Sequence, residues 1–314
     1  MSEITLRTTQ NRTAVCCLSS LNLEKFEEWK DTSIVEDIIR MLDNVLEYFI
    51  RLAPPELKRA VHSAQKERAI GMGTLGWHSY LQSKGIAFES ELALMETENV
   101  YSLIKSKAMN ESKRLAAERG EPDDCYKSGM RHSHLLAIAP NASSSSMVGV
   151  SPSIEPWNAN AFTAEGRAGS FLIKNKYLEE VLKGYDKNDK ETWHSITTNE
   201  GSVQHLDFLS AKEKRLFKTA YEIDMMWVVE QAAKRQKYIC QSQSLNIFVD
   251  PKNITMQKMH DIHFTGWLSG VKTFYYSRSK KAERAKVGTG KDKPLNALAV
   301  KQTIEYDDCK ACEG

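Results

Sequence analysis

The 314-residue chain lacks any long uninterrupted apolar stretch, and its hydrophobic content is 41%. A membrane-spanning helix needs about 20 consecutive apolar residues, so no span and no membrane partner is expected, and the composition is that of a globular protein. A surplus of charge of one sign is lacking too. There are 43 Lys and Arg against 41 Asp and Glu, a formal net charge of +2. That balance carries no electrostatic footprint for nucleic acid, which is not expected as a partner. The opening residues, Met1-Ser2-Glu3-Ile4-Thr5, have neither a cationic n-region nor an apolar h-region, so no secretory signal is read there. Cysteine is scarce. Six, unevenly placed, do not make a secreted disulfide framework in a chain of this length. A reducing cytoplasmic setting is expected, in which any disulfide is transient and functional.

What is present is organised around a few local patterns. Residues 270–276, G-V-K-T-F-Y-Y, are strand formers behind a glycine helix stop, and they predict a short buried strand. Strand alternation sends Tyr275 and Tyr276 to opposite faces, one into the core and one to a rim. Two neighbouring phenols are also groups able to pass on an electron and a proton in turn. Residues 14–23, A-V-C-C-L-S-S-L-N-L, read as a buried strand end, where a thiol taken alone is inert packing.

Between these blocks, Ser33-Ile34-Val35-Glu36 reads as a capping box that opens a helix, with Ile38, Ile39, Leu42, Val45, Leu46 and Phe49 at helical spacing and Pro54-Pro55 beyond its end. Gly71-x-Gly73-x-x-Gly76 mimics a dinucleotide loop, but no strand before it and no acidic residue after it is evident, so that signal is weak; a turn into a helix is what the family resemblance given below implies for it. A long helix is predicted over residues 92–119, stopped by Gly120. Residues 135–139 form an apolar run that predicts a buried strand, and it breaks at Pro140-Asn141-Ala142-Ser143-Ser144. Serine runs are commonly flexible linkers, yet this one lies between two apolar stretches. A loop of small residues offering free N–H groups and hydroxyls suits a phosphate. Residues 163–210 are polar and read as punctuation. Ser210-x-x-Glu213 is a second capping box, opening a helix predicted to run to about residue 234. Residues 238–249 read as a strand and turn containing Q-S-Q-S-L-N, and residues 255–268 as a helix. From Ser279 the chain turns basic, with too little apolar residue content to order it, and it ends in Cys309-x-x-Cys312. That spacing serves zinc or redox chemistry; one pair cannot fill a tetrahedral zinc site, so thiol–disulfide exchange is preferred. Cys125 sits in an acidic loop and receives no role.

Taken in order, these blocks resemble the C-terminal part of the large, catalytic subunit of class I ribonucleotide reductase. The resemblance runs from Ser2 to the end of the chain. It implies an α/β fold, the C-terminal half of a ten-stranded α/β barrel (residues 1–278), followed by a flexible redox-active tail (residues 279–314). It implies Glu3 as a general base, Cys16 as one of two thiols that reduce the substrate, and Tyr275 and Tyr276 as a radical relay. Residues Pro140, Asn141, Ala142, Ser143 and Ser144 become the diphosphate cradle, and Cys309 and Cys312 the pair that re-reduces the active-site disulfide. Cys17 falls on a position that is not a family thiol. Met1 stands where the family has its radical cysteine, and Cys240 where it usually has Asp before Q-S-Q-S. The implied partners are a separate N-terminal large-subunit chain, a small subunit carrying the metal and radical cofactor, thioredoxin or glutaredoxin, and a ribonucleoside diphosphate. No cofactor is expected on this chain itself. Two other readings stand beside this one: an inactive remnant or scaffold that binds the other subunits, and a free-standing thiol oxidoreductase built on C-x-x-C.

Overall fold

A computed structural model describes residues 2–166 and 169–280. β1 (Cys17–Asn22) leads through α1 (Phe26–Trp29), α2 (Ile34–Leu52) and α3 (Lys58–Glu67) to β2 (Ile70–Leu75), which lies parallel to β1 in register from Cys17 opposite Ile70 to Asn22 opposite Leu75. Next come α4 (Trp77–Ser83), α5 (Glu91–Arg119), α6 (Ala142–Val148) and the hairpin of β3 (Ala161–Gly166) and β4 (Gly169–Lys174). The chain continues through α7 (Lys176–Gly184), α8 (Lys190–Thr198), α9 (Ala211–Leu216), α10 (Met225–Gln236), β5 (Ile247–Val249), α11 (Met256–Leu268) and β6 (Ser277–Ser279).

Two extended stretches knit the parallel strands together. Residues 135–138 lie beside β2: Met72 N–H donates to Leu135 O at 2.8 Å and Ala137 N–H to Met72 O at 3.2 Å. On their other side, Gln241 N–H donates to Leu136 O at 3.1 Å and Ser244 N–H to Ile138 O at 2.8 Å. Residues 245–249 then pair in parallel with the chain from Tyr275 to β6. Five parallel stretches, with helices in the connections between them, make an arc of α/β barrel, as expected from the sequence. The glycines of β2 are what let the arc close up. A Cβ on Gly71 would stand 2.5 Å from Leu18 Cδ2 and 2.9 Å from Cys16 Sγ, and one on Gly73 would stand 2.5 Å from Ala137 O. The G-x-G-x-x-G pattern is therefore itself a fully buried strand, and only Gly76, at φ +79°, makes the turn into α4.

Several local expectations shift. Ser33 precedes α2, but its hydroxyl bonds Asp37 Oδ2 at 2.7 Å and forms no cap on the helix N–H groups. The buried stripe of α2 is Val35, Ile39, Leu42 and Leu46, leaving Val45 in solvent. The Ser210–Glu213 capping box does form. Its helix, however, stops at Leu216, because Glu222 caps Thr219 N–H at 2.8 Å and Asp224 starts α10 by accepting from Met226 N–H at 3.1 Å. The polar region after residue 160 holds a second apolar core that periodicity did not show. Leu178, Leu182, Trp193, Ile196, Val203 and Phe217 are buried there together. Its Asn and Asp punctuation is helix capping: Asn175 and Asp189 accept from backbone N–H groups that open α7 and α8.

Candidate active site

Four of the predicted site residues, Glu3, Cys16, Tyr275 and Tyr276, bond to one stretch, residues 241–246. Gln241, Ser242, Gln243, Ser244 and Asn246 are all buried. Buried polar groups are costly unless hydrogen-bonded, so this run is legible as a scaffold whose side chains each have a target. Gln243 faces the helices: its Nε2 donates to Ala232 O and to Gln236 Oε1, both at 3.0 Å. The others face the predicted chemistry.

Glu3 is completely buried, although it lies near the chain start. Its backbone carbonyl accepts from Ser242 N–H at 2.9 Å. Its Oε2 accepts a hydrogen bond from Ser244 Oγ. Oε1 is buried and has no hydrogen-bond partner among the described residues. A carboxylate held by one oxygen with the other uncommitted can accept a proton from a hydroxyl brought to it. Ser2 and Thr273 tie the same strand down: Thr273 Oγ1 lies 2.5 Å from Ser242 Oγ and donates to Ser2 O at 3.0 Å.

Cys16 lies immediately before β1 and is half-buried. Gln241 Nε2 donates to its sulfur at 3.2 Å. Burial pushes the thiol up to about 12, against the Gln241 hydrogen bond, so at neutral pH the group is a thiol able to give up hydrogen. Cys17 packs against the main apolar core, as its assignment to packing requires.

Tyr275 and Tyr276 depart from the sequence expectation. The pair precedes β6 and is not in a buried strand; Tyr276 is 53% exposed. The rings do not part to opposite faces. Their centroids are 4.1 Å apart at 49°. The reason is the backbone pairing: Tyr275 N–H donates to Leu245 O and Ile247 N–H to Tyr276 O, both at 2.8 Å, while Tyr276 N–H donates to Asn246 Oδ1 at 3.1 Å. With the side-chain acceptor of Asn246 replacing a regular ladder bond, the two residues leave strand alternation and their rings meet.

The serine run is not a loop but the body of α6. Asn141 caps it in the left-handed region, φ +54°, and is buried. Its carboxamide joins three strands' ends: Nδ2 donates to Thr74 O at 3.1 Å and Ala139 O at 3.0 Å, and Oδ1 accepts from Ser20 Oγ at 3.1 Å. Pro140 is half-buried, Ala142 and Ser143 are exposed and Ser144 is half-buried, so the 140–144 segment, which leads into the first turn of α6, is largely accessible. A cavity of about 380 Å³ adjoins it, lined by Ala142, Ser145, Trp157, Phe162 and Ile173 among others.

Three residues outside the sequence-predicted set belong to this framework: Gln241 and Ser244, which hold Cys16 and Glu3, and Asn246, which holds Tyr276. The signal available for them was an uncharged polar run inside an otherwise apolar strand context. Glu155 is a fourth. It is buried, it accepts from Asn246 N–H at 3.4 Å, and burial pushes its carboxyl up to about 7. Cys240 takes backbone N–H groups of Leu135 and Leu136 on its sulfur at 3.0 and 3.1 Å, a hydrogen-bonding place that a carboxylate would also fill. Cys125 is buried, and burial with Asp124 raises its thiol. Cys309 and Cys312 lie outside the described residues.

Comparison with known proteins bears on the family and the fold. The family model for the ribonucleotide reductase barrel domain matches residues 2–128 and 122–277. The chain is 46% identical over 312 residues to the ribonucleoside-diphosphate reductase large subunit of Invertebrate iridescent virus 6, covering 97% of this chain and 32% of that protein. It is 42% identical over 316 residues to a putative ribonucleoside-diphosphate reductase large subunit of Frog virus 3 (isolate Goorha), covering 100% of this chain and 54% of that protein. Among solved structures, the class Id ribonucleotide reductase alpha subunit of Actinobacillus ureae superposes with a TM-score of 0.84 at 41% identity, over 90% of this chain and 52% of that one. The chain thus spans between a third and about half the length of these relatives. By sequence and by fold, the chain belongs to the ribonucleotide reductase large-subunit family and carries part of its barrel domain.

Proposed function

We propose that this chain contributes one side of an active site that reduces ribonucleoside diphosphates to their 2′-deoxy products, for DNA precursor synthesis. The observation that carries the reading is the single buried stretch 241–246, whose groups bond Glu3, Cys16, Tyr275 and Tyr276. Residues that share no sequence neighbourhood are gathered by one element, as a common reaction requires.

In this reading Glu3 takes the proton of a ribose hydroxyl through its uncommitted Oε1. Cys16 and a second thiol, supplied by an N-terminal large-subunit chain, give two electrons and two protons as they join in a disulfide; the 2′-hydroxyl leaves as water. Pro140, Asn141, Ala142, Ser143 and Ser144 cradle the diphosphate. Tyr276 and Tyr275 pass a radical inward from a small subunit that holds the metal cofactor. Cys309 and Cys312 reduce the new disulfide by exchange and are reset by thioredoxin or glutaredoxin.

The test is reconstitution. The chain alone reduces no ribonucleoside diphosphate; with a complementary N-terminal large-subunit chain and a small radical-generating subunit, deoxynucleotide forms. With Cys309 and Cys312 both changed to Ser, turnover driven by a small dithiol persists while turnover driven by thioredoxin stops. Turnover by the isolated chain, or equal loss with both reductants, contradicts the assignment.

A further inference from the structure

The Q-S-Q-S stretch has a member whose role goes beyond scaffolding. Gln241 is wholly buried, and both N–H groups and the oxygen of its carboxamide are engaged. Nε2 donates to Ile70 O at 3.1 Å and to Cys16 Sγ at 3.2 Å, and Oε1 accepts from Thr5 N–H at 3.3 Å. These partners settle the orientation of the amide. Rotating it by half a turn would set oxygen against the Ile70 carbonyl and N–H against the Thr5 N–H. The sulfur therefore faces a fixed N–H donor. Gly71 leaves the room for this approach, since a Cβ there would stand 2.9 Å from the sulfur.

We propose that Gln241 is a positioning residue for Cys16, holding an N–H on its sulfur that favours the thiolate each time this sulfur leaves a disulfide. The redox part of the proposal rests on the reductase reading above; the hydrogen bond and its effect on the sulfur do not. The step is ordinary exchange. A thiolate of a reducing dithiol attacks the sulfur joined to Cys16, the S–S bond breaks, and Cys16 departs with the electron pair and then takes a proton. The second thiolate of the dithiol displaces the mixed disulfide and leaves oxidised.

The electrostatic setting explains why a neutral donor stands here. The titratable groups that act on the sulfur are Cys17, Glu3 and Cys240, and each opposes a negative charge on it, as does burial; Gln241 acts the other way. A lysine or arginine in its place would hold a standing thiolate, which is nucleophilic and oxidisable at rest. A carboxamide gives a bias the size of one hydrogen bond. The sulfur stays protonated while it must donate hydrogen, and it is eased when it must leave.

The test uses the full chain carrying Cys17→Ser, alkylated with iodoacetamide from pH 7 to 10, with modification of Cys16 read by peptide mass spectrometry. Gln241→Met keeps the length and removes the donor; Gln241→Glu keeps the shape and puts an acceptor on the sulfur. Removing the donor lowers the thiolate fraction about fivefold, the size of one ordinary hydrogen bond. Greater nucleophilicity of the more basic sulfur returns part of this, so the expected rate falls about two- to threefold in Gln241→Met. Gln241→Glu is slower still, and Cys125 in the same samples is unchanged. A residue that merely props the wall gives the opposite sign, because a loosened pocket exposes Cys16 and speeds alkylation. An unchanged or faster rate in whichever variant retains the parent's circular dichroism and melting transition overturns the proposal. The assay needs no nucleotide, partner or radical, so its failure and failure of the reductase reading are seen separately.

Discussion

The two ends of the candidate site are built in contrasting ways. At one end, Glu3 and Gln241 are buried completely and are placed by side-chain hydrogen bonds to Ser244, Ile70 O and Thr5 N–H. At the other, Tyr275 and Tyr276 hang from backbone pairing to residues 245–247, with the Tyr276 ring half in solvent. The buried end fixes orientation, since a polar group out of water holds its place only where its hydrogen-bond partners stand. The open end sets only proximity, with the two ring centroids 4.1 Å apart and Tyr276 exposed. Asn246 is the joint, bonded through its side chain to Tyr276 N–H and through its own N–H to Glu155.

The contrast can be broken most severely at the open end. In the reconstituted assembly, Tyr275→Phe removes one oxygen and is expected to abolish deoxynucleotide formation while the chain folds and assembles as before; full activity there would remove the relay. At the joint, the prediction concerns pH. Folded Glu155 keeps its proton up to about pH 7, whereas the ordinary value is 4.5. Between those pH values the folded state binds the additional proton, so stability falls as pH rises and the loss is complete above about 7. The full penalty is up to about 3 kcal/mol. Glu155→Gln should flatten that slope and melt higher than the parent at pH 8; an identical pH profile for the two proteins would show that Glu155 does not titrate in this window. At the buried end, Ser244→Ala leaves the Glu3 carboxylate without its donor and should cost about 1–3 kcal/mol in chemical denaturation. A neutral result would mean that the carboxylate is held by something else. The smallest effect is expected back at the open end, where Tyr276→Phe should change stability by less than about 0.5 kcal/mol, because the residue is exposed. A larger loss would show that the open end is braced after all.

Much of the architecture was legible in residue order. The helix of residues 92–119 is α5 at Glu91–Arg119, with Gly120 closing it, and α11 begins at its Thr255 cap as read. Local chemistry is enough for these, since caps and stops act over three or four residues. The errors have identifiable causes, some local and some distant. Ser33 and Ser210 stand in similar tetrads, yet Ser33 spends its hydroxyl on Asp37, one residue beyond the box, and only Ser210 caps. The glycines of β2 look like a nucleotide loop because their reason is distant: Leu18, Cys16 and Ala137 come from two other segments. The second core around Trp193 was hidden because its apolar residues are spread over several short elements, none long enough to show a period.

For the site, residue type by itself limited the tyrosine pair and the small-residue run at 140–144 to particular chemistry, whereas Glu3 and Cys16 were named only through the order of blocks shared with the reductase family, since a buried thiol taken alone reads as packing. Tertiary structure alone decided that Gln241 meets Cys16 across 225 positions and Ser244 meets Glu3 across 241, and that two adjacent phenols touch. The physical reason is range. Capping, turn and strand preferences are written within a few residues, whereas a buried hydrogen bond selects its partner only after strands far apart in the chain have packed side by side.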